Sequence, residues 1–236
     1  MKNKKAKKSE KSRKEKVVCL ISGGIDSPVA TALAAKHYEI VPVHFSLYPF
    51  YCKGSFETMI AVLKYLKKKT KFREFIIFPH AEILSAVLKS ENRLARDYMC
   101  VMCRKAMFKA AEKICESEGA AGIVTGESLA QKASQTLQNL AATSSGIKYP
   151  MIRPLLGMDK TEIIKLSKGL EMPEKHVGCC TATPEWPVTK ADAITAENLF
   201  AELGLQKIID DNFRKIVRIR KFEKTGYEIL QKVLGE

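Results

Sequence analysis

The sequence predicts an α/β fold: an open parallel sheet between helices, followed by a helical C-terminal part. Three observations carry that reading. Short apolar runs recur along the chain, at Val17 to Ile21, Glu39 to Phe45, Phe75 to Phe78 and Gly122 to Thr125. Between them lie stretches with helical periodicity and ten or more residues, long enough for right-handed βαβ crossovers. The first and fourth runs end in glycine-rich or polar turns, where ligands gather over the carboxyl ends of such a sheet.

The first run leads into Ser22-Gly23-Gly24-Ile25-Asp26-Ser27 and then the helix former Pro28 to Ala35, so strand, tight turn and helix follow one another. Ser27 is expected to cap that helix, with Pro28 at its first position, where a missing N–H costs nothing. The second strand closes on His44 and Phe45. Phe56 to Lys69 is helical, with Met59, Ile60, Val62, Leu63 and Leu66 on one stripe and the lysines mostly outside it. A third strand ends at Pro79, and Ala81 to Glu118 is helical with a break near Ser90. The fourth strand opens into the polar passage Thr125 to Thr136. Ile147 to Leu156 contains Pro150 and Pro154, which fits an edge strand or extended loop. Asp159 and Glu162 make a capping-box start to another helix. Pro173 to Pro187 is irregular, and the remainder reads helical, with Asn212 to Lys224 rich in basic residues.

The 236 residues suit one large domain with a small appendage: a basic arm over residues 1–16, a catalytic domain over 17–190 and a basic helical extension over 191–236. Net charge is +14, which points to polyanionic partners. The arm holds nine Lys/Arg against two Glu and has almost nothing apolar to bury, so disorder is expected, either as a solubilising tail or as a salt-sensitive nucleic-acid contact. No run approaches the ~20 apolar residues of a membrane span, and the basic N-terminus lacks the apolar segment of an export signal. Seven cysteines in that setting suggest a cytoplasmic chain whose thiols serve metal or redox chemistry.

Backbone N–H groups at a helix N-terminus, flanked by serines and glycines, make an anion site. The turn lacks the lysine of a Walker loop and carries Asp26 instead. That carboxylate would repel a phosphate unless a cation such as Mg²⁺ lay between them. The pattern resembles the Ser-Gly-Gly-x-Asp-Ser signature of the PP-loop ATP pyrophosphatases, adenine nucleotide alpha hydrolase-like proteins that cleave ATP between the α- and β-phosphates to adenylate a substrate.

Four ordered pieces narrow the resemblance: Ser22 to Ser27, Val43-His44-Phe45-Ser46, Thr125 to Thr136, and Arg153-Pro154-Leu155 leading to Asp159-Lys160-Thr161-Glu162-Ile163. Together they resemble the tRNA uracil 4-sulfurtransferases, the ThiI-type 4-thiouridine synthetases, from about Val17 to about Lys190. The resemblance implies an ATP site formed by Ser22, Gly23, Gly24, Asp26, Ser27, His44, Phe45, Thr125, Gly126, Glu127, Ser128, Gln131 and Gln135. It implies that Asp26 supports Mg·ATP and that Lys160 stabilises charge on the transferring phosphoryl group. The plainer reading of Lys160 is a solvated residue, although a cation in a helix's first turn opposes the helix dipole. Ala130 departs from the glycine many relatives carry.

Cys100 and Cys103 are spaced to place both thiols on one helical face, as a metal or cluster pair requires. In archaeal-type relatives a C-x-x-C and a third cysteine from the Pro173 to Pro187 loop hold an iron-sulfur cluster. In bacterial ones a cysteine matching that loop carries a persulfide. The resemblance therefore implies Cys180 as third ligand and catalytic cysteine, with Cys179 beside it; buried thiols or a zinc site are the alternatives. Cys19, Cys52 and Cys115 read as structural.

The expected function is adenylation of a tRNA uridine and replacement of its 4-oxygen by sulfur, using ATP, Mg²⁺ and an iron-sulfur cluster. Expected partners are tRNA and a sulfur donor, either sulfide or a persulfide carrier. The THUMP and rhodanese domains of longer relatives are expected to be missing, so tRNA capture falls to the arm, the basic C-terminal helices or a separate THUMP-containing chain; a homodimer is compatible. The rivals are another ATP pyrophosphatase, acting in tRNA 2-thiolation or small-substrate adenylation, and a non-catalytic RNA-binding or sulfur-carrying subunit.

Overall fold

A computed structural model describes residues 14–129, 135–169 and 180–221, together with 225, 226, 228, 229 and 231. Its strands are β1 (Lys16–Leu20), β2 (Glu39–Ser46), β3 (Phe75–Pro79), β4 (Ile123–Val124), β5 (Met151–Ile152) and β6 (Val217–Ile219). Its helices are α1 (Asp26–Ala34), α2 (Lys53–Lys69), α3 (Ala81–Lys89), α4 (Arg93–Asp97), α5 (Met99–Glu118), α6 (Leu137–Ser144), α7 (Lys160–Gly169), α8 (Ala193–Glu202) and α9 (Leu205–Phe213).

The strands form one sheet in the order β5-β4-β1-β2-β3-β6. All neighbours are parallel except β6, which runs antiparallel to β3 with Ile76 opposite Arg218. Alternation along each strand sends side chains to two separate cores, the arrangement a sheet covered on both faces requires. Val18, Ile76, Phe78 and Ile123 enter the core beneath α3, α5, α8 and α9. Their neighbours Val17, Cys19, Phe75, Ile77 and Val124 enter the core beneath α1, α2 and α7. All five apolar residues of the α2 stripe are buried.

Strand order reverses at β1, which pairs with β2 on one side and β4 on the other. That reversal opens a crevice above the carboxyl ends of β1 and β4. The glycine turn and Thr125-Gly126 both emerge there.

Three sequence expectations are corrected. Helix α1 starts at Asp26 with Ile25 as N-cap, so Ser27 lies in the first turn and caps nothing, and Pro28 is the third helical residue instead of the first. Val217–Ile219 is a strand where helix was expected. Its short apolar alternation finds a partner in β3, a non-local pairing that helical periodicity cannot reveal. The basic residues there are also engaged, because Arg218 pairs with Glu74 and Glu118, and Arg220 with Glu74. The break near Ser90, the edge strand β5 and the capping box on α7 are as expected; Asp159 N–H donates to Glu162 at 2.8 Å and Glu162 N–H returns to Asp159 at 2.9 Å.

Candidate nucleotide and sulfur site

A cavity of about 230 Å³ opens in the crevice. Ten of the predicted nucleotide residues line it: Ser22, Gly23, Gly24, Asp26, Ser27, His44, Phe45, Thr125, Gly126 and Gln135. The turn is closed by its own serines. Ser22 N–H donates to Ser27 Oγ at 2.8 Å, the two hydroxyls lie 3.0 Å apart, and Gly24 N–H reaches Ser22 Oγ at 3.3 Å. Helix α1 begins directly behind, and first-turn N–H groups lack intrahelical partners, so the turn and helix present a positive end to the cavity.

Gly126 explains how two distant segments share this wall. A Cβ on it would lie 2.5 Å from Ser27 Cα and N and 2.7 Å from the Asp26 carbonyl carbon. Backbone meets backbone here, and only glycine permits the approach.

His44 donates from Nδ1 to the Ile21 carbonyl at 3.0 Å, which fixes its tautomer because a carbonyl only accepts. Burial pushes its pKa down to about 4, so the ring is a neutral wall at physiological pH. Phe45 sits edge-on to His80, whose Nε2–H donates to the Cys103 carbonyl at 3.1 Å; burial likewise lowers His80 to about 4. Gln135 is buried, and its Oε1 has no hydrogen-bond partner among the described residues. An orphaned buried acceptor lining a cavity fits a ligand that brings a donor.

Glu127 and Ser128 are fully buried and, unlike the other described members of the expected nucleotide set, do not line the cavity. Glu127 accepts from Arg104 at 3.0 Å, from Arg153 at 2.7 Å and from Thr125 Oγ1 at 2.9 Å. The crowded polar passage is thus partly a structural network, and Thr136 ends it by capping α6. Gln131 and Cys179 lie outside the described residues.

Lys160, at the start of α7, places Nζ 2.6 Å from Asp26 Oδ1. Asp26 is the one carboxylate lining the cavity among the described residues. A single carboxylate together with phosphate oxygens is a donor set that suits Mg²⁺.

The helix that carries Cys100 and Cys103 reaches this cavity through two other residues. Residues 100, 103, 104 and 107 share one face of α5, and Arg104 and Met107 line the cavity. Cys103 is held well above the usual thiol range by burial, and then by its neighbours Cys180 and Cys100. The Cys180 segment docks on the β2–α2 loop, where Thr181 N–H donates to the Phe50 carbonyl at 3.0 Å. Soft thiols in mutual electrostatic reach fit a cluster in kind, yet among the described residues no three His, Cys, Asp or Glu side chains are gathered closely enough to hold a metal ion. Cys19 and Cys115 are buried, as a structural role requires. Cys52 departs from that reading: it is exposed, is the N-cap of α2 and lines the cavity mouth. Arg104, Met107 and Cys52, with Tyr48, Tyr51 and Ser55, are among the cavity-lining residues that sequence reasoning missed.

No helix among the described residues is long and apolar enough to cross a membrane. The model of the family described as "Thiamine biosynthesis protein (ThiI)" matches residues 12–204. A probable tRNA sulfurtransferase of Methanothermobacter thermautotrophicus is 37% identical over 212 residues, covering 88% of this chain and 54% of that protein. One from Acetivibrio thermocellus is 35% identical over 201 residues, covering 83% and 50%. A solved 4-thiouridine synthetase in complex with RNA and bound ATP superimposes with a TM-score of 0.77 at 33% identity, over 87% of this chain and 55% of that one. The chain therefore spans about half the length of the curated relatives it matches.

Proposed function

The chain belongs to the ThiI family and has its PP-loop α/β fold, and from that premise we propose that it is an ATP-dependent tRNA sulfurtransferase that converts a uridine to 4-thiouridine. The observation that carries the proposal is the meeting of Asp26 and Lys160, 134 residues apart in sequence, beside the glycine turn on a cavity with a positive helix end.

In this reading the turn and the N-terminus of α1 bind the phosphates of ATP, and the wall of His44 and Phe45 takes the base. Asp26 would hold Mg²⁺, which supplies charge neutralisation across the phosphates. Lys160 provides fixed positive charge as the uridine 4-oxygen attacks the α-phosphorus and pyrophosphate leaves. AMP then becomes the group that sulfur displaces from C4.

Cys100, Cys103 and Cys180 are the proposed ligands of an iron-sulfur cluster, with Cys180 the catalytic cysteine. The electrostatic neighbourhood of Cys103, which includes Cys180 and Cys100, supports this, as does the place of Cys100 and Cys103 on the α5 face whose Arg104 and Met107 line the cavity. The remaining partners in this reading are tRNA, a sulfide or persulfide donor and a THUMP-containing RNA-binding chain or domain. The setting is cytoplasmic, and a homodimer is the proposed assembly.

The test is mass spectrometry of tRNA nucleosides after incubation of the anaerobically purified protein with ATP, sulfide and unmodified tRNA. Formation of 4-thiouridine with one AMP per sulfur supports the proposal. ATP cleavage without 4-thiouridine would indicate another ATP pyrophosphatase, and RNA binding without AMP formation an accessory subunit. A colourless, zinc-loaded and fully active preparation would remove the cluster from the reading.

A further inference from the structure

Trp186 is the only tryptophan in the chain and is 80% exposed, the most of any large apolar residue among the described residues. An indole is normally buried, so a ring left in water marks a contact surface when its backbone is held still. That backbone is held on both sides. Thr181 N–H and Oγ1 both donate to the Phe50 carbonyl, at 3.0 and 3.2 Å. Beyond the tryptophan, the Val188 carbonyl accepts from Asn139 Nδ2 at 2.7 Å, the Thr189 carbonyl accepts from Thr136 Oγ1 at 2.6 Å, and Ala191 N–H donates to Asn139 Oδ1 at 2.8 Å. Pro184 and Pro187 restrict φ between these anchors. Residues 180–191 therefore form a strap that presents the ring already ordered, with little entropy left to lose on contact.

Both anchors border the nucleotide cavity. Phe50 lies between Tyr48 and Tyr51, which line it, and Thr136 directly follows Gln135, which also lines it. The strap begins at Cys180, a near neighbour of Cys103. Trp186 is outside the lining but between the two anchors, so the ring stands at the approach to the cavity. Leu137 and Ile194, 68% and 72% exposed, lie one residue beyond Thr136 and three beyond Ala191. This apolar surface is broken up, because Glu185, Thr189, Lys190 and Asp192 are exposed among the same residues. A protein interface is built on a continuous apolar core, whereas a nucleobase has one apolar face and polar edges. The interruption favours a base.

We infer that Trp186 is a stacking platform for an unpaired RNA base beside the target uridine. The inference rests on the sulfurtransferase reading. The 4-position of a uridine reaches the phosphate turn inside the cavity only if that nucleotide leaves its stack, which bares the face of its neighbour as well. A rigid indole at the approach replaces the lost stacking and holds the strand in register with the site. Stacking neutralises no phosphate, so it acts without the counterion release that charged contacts bring.

With a single tryptophan in the chain, tryptophan emission reports on Trp186 alone, and the parent protein can be read without any variant. The experiment titrates the full chain with unmodified tRNA and with a fully paired RNA duplex. It also measures tRNA affinity, its salt dependence and ATP affinity for the parent, Trp186→Ala and Trp186→Phe. Unmodified tRNA is expected to quench the emission, and the duplex to leave it unchanged. Trp186→Ala should weaken tRNA binding about 5- to 100-fold, with ATP affinity and the slope of log affinity against log salt both unchanged. Trp186→Phe should recover most of that loss, since a phenyl ring also stacks. Parent-like tRNA affinity in Trp186→Ala would overturn the inference, and so would equal quenching by the duplex. An emission that shifts with protein concentration in the absence of RNA would assign the ring to contact with a second copy and overturn it too. Quenching by tRNA without any 4-thiouridine formation would defeat the sulfurtransferase reading and leave the stacking contact standing, so the two failures are distinguishable.

Discussion

Lys160 Nζ and Asp26 Oδ1 are 2.6 Å apart, joining the first turn of α7 to the first turn of α1. The pair is partly solvated, with side-chain exposures of 42% and 22%, so its contribution to stability is modest, about 0 to 1 kcal/mol. Its position by the phosphate turn gives it a larger role in chemistry. Lys160→Met and Asp26→Asn should each shift the thermal midpoint by no more than about 4 °C while lowering tRNA-dependent AMP formation at least ~100-fold. Turnover within a few-fold of the parent in either variant would remove that residue from the mechanism.

Gly126 is constrained more tightly than Gly24 of the glycine turn, where an added Cβ would meet Ser22 Oγ at 3.6 Å. Gly126→Ala places a Cβ 2.5 Å from backbone atoms of Ser27, and backbone cannot rotate away as a flexible side chain can. Overpacking of this kind costs about 1 to 3 kcal/mol. The displaced atoms belong to the phosphate-binding turn, so ATP affinity should fall along with the thermal midpoint. A titration showing parent-like ATP affinity in a folded Gly126→Ala protein would contradict the close packing of the two segments.

The sheet was legible because period-two burial and helical spacing are local signals, clear in Val17 to Leu20 and in Met59 to Leu66. Val217–Ile219 was not, since its strand state depends on a partner in β3 more than a hundred residues away. The site divides along the same line. Residue types marked the glycine turn, but Glu127 and Arg104 look alike in sequence as polar residues beside a motif. Only the fold reveals that one is sealed beneath the other. A signal for Arg104 was present: it shares the face of α5 with Cys100, Cys103 and Met107.

Removing the buried carboxylate should be costly in a way that removing either arginine is not. Glu127→Ala leaves Arg104 and Arg153 facing one another without a counter-charge, and breaking a buried pair costs about 3 to 5 kcal/mol. For a chain of 236 residues this corresponds to a fall in thermal midpoint of roughly 6 to 20 °C. Scanning calorimetry of Glu127→Ala beside Arg153→Gln tests the asymmetry, and equal midpoints would refute it.

Thiol reactivity should follow burial and hydrogen bonding. The Ser55 hydroxyl, then its backbone N–H, draws the Cys52 thiol below its usual range, and the residue is exposed at the cavity mouth. Burial drives Cys19 well above that range and Cys115 up to about 12. Iodoacetamide at neutral pH should therefore label Cys52 ahead of Cys19 and Cys115, which react only after unfolding. ATP should slow labelling of Cys52. Peptide mass spectrometry over a time course gives the order, and early labelling of Cys19 or Cys115 would overturn it.

His44 and His80 make stability depend on pH in a defined direction. Both are neutral in the folded chain, His80 fully buried and His44 half-buried in the cavity wall, with pKa values of about 4, against about 6.5 when unfolded. Above pH 6.5 neither state binds the proton and the full stability is present. Between about 6.5 and 4 the unfolded chain takes up protons that the folded one refuses, so stability falls as pH drops through that window. By pH 5 the loss is about 2 kcal/mol per histidine, before most carboxylates begin to titrate. His80→Gln can still donate towards the Cys103 carbonyl and has no titrating group, so it should lose about half of the parent's decline between pH 6.5 and 5. Urea midpoints at pH 7.5, 6.5 and 5 measure this, and equal slopes in parent and variant would show that His80 is not held neutral.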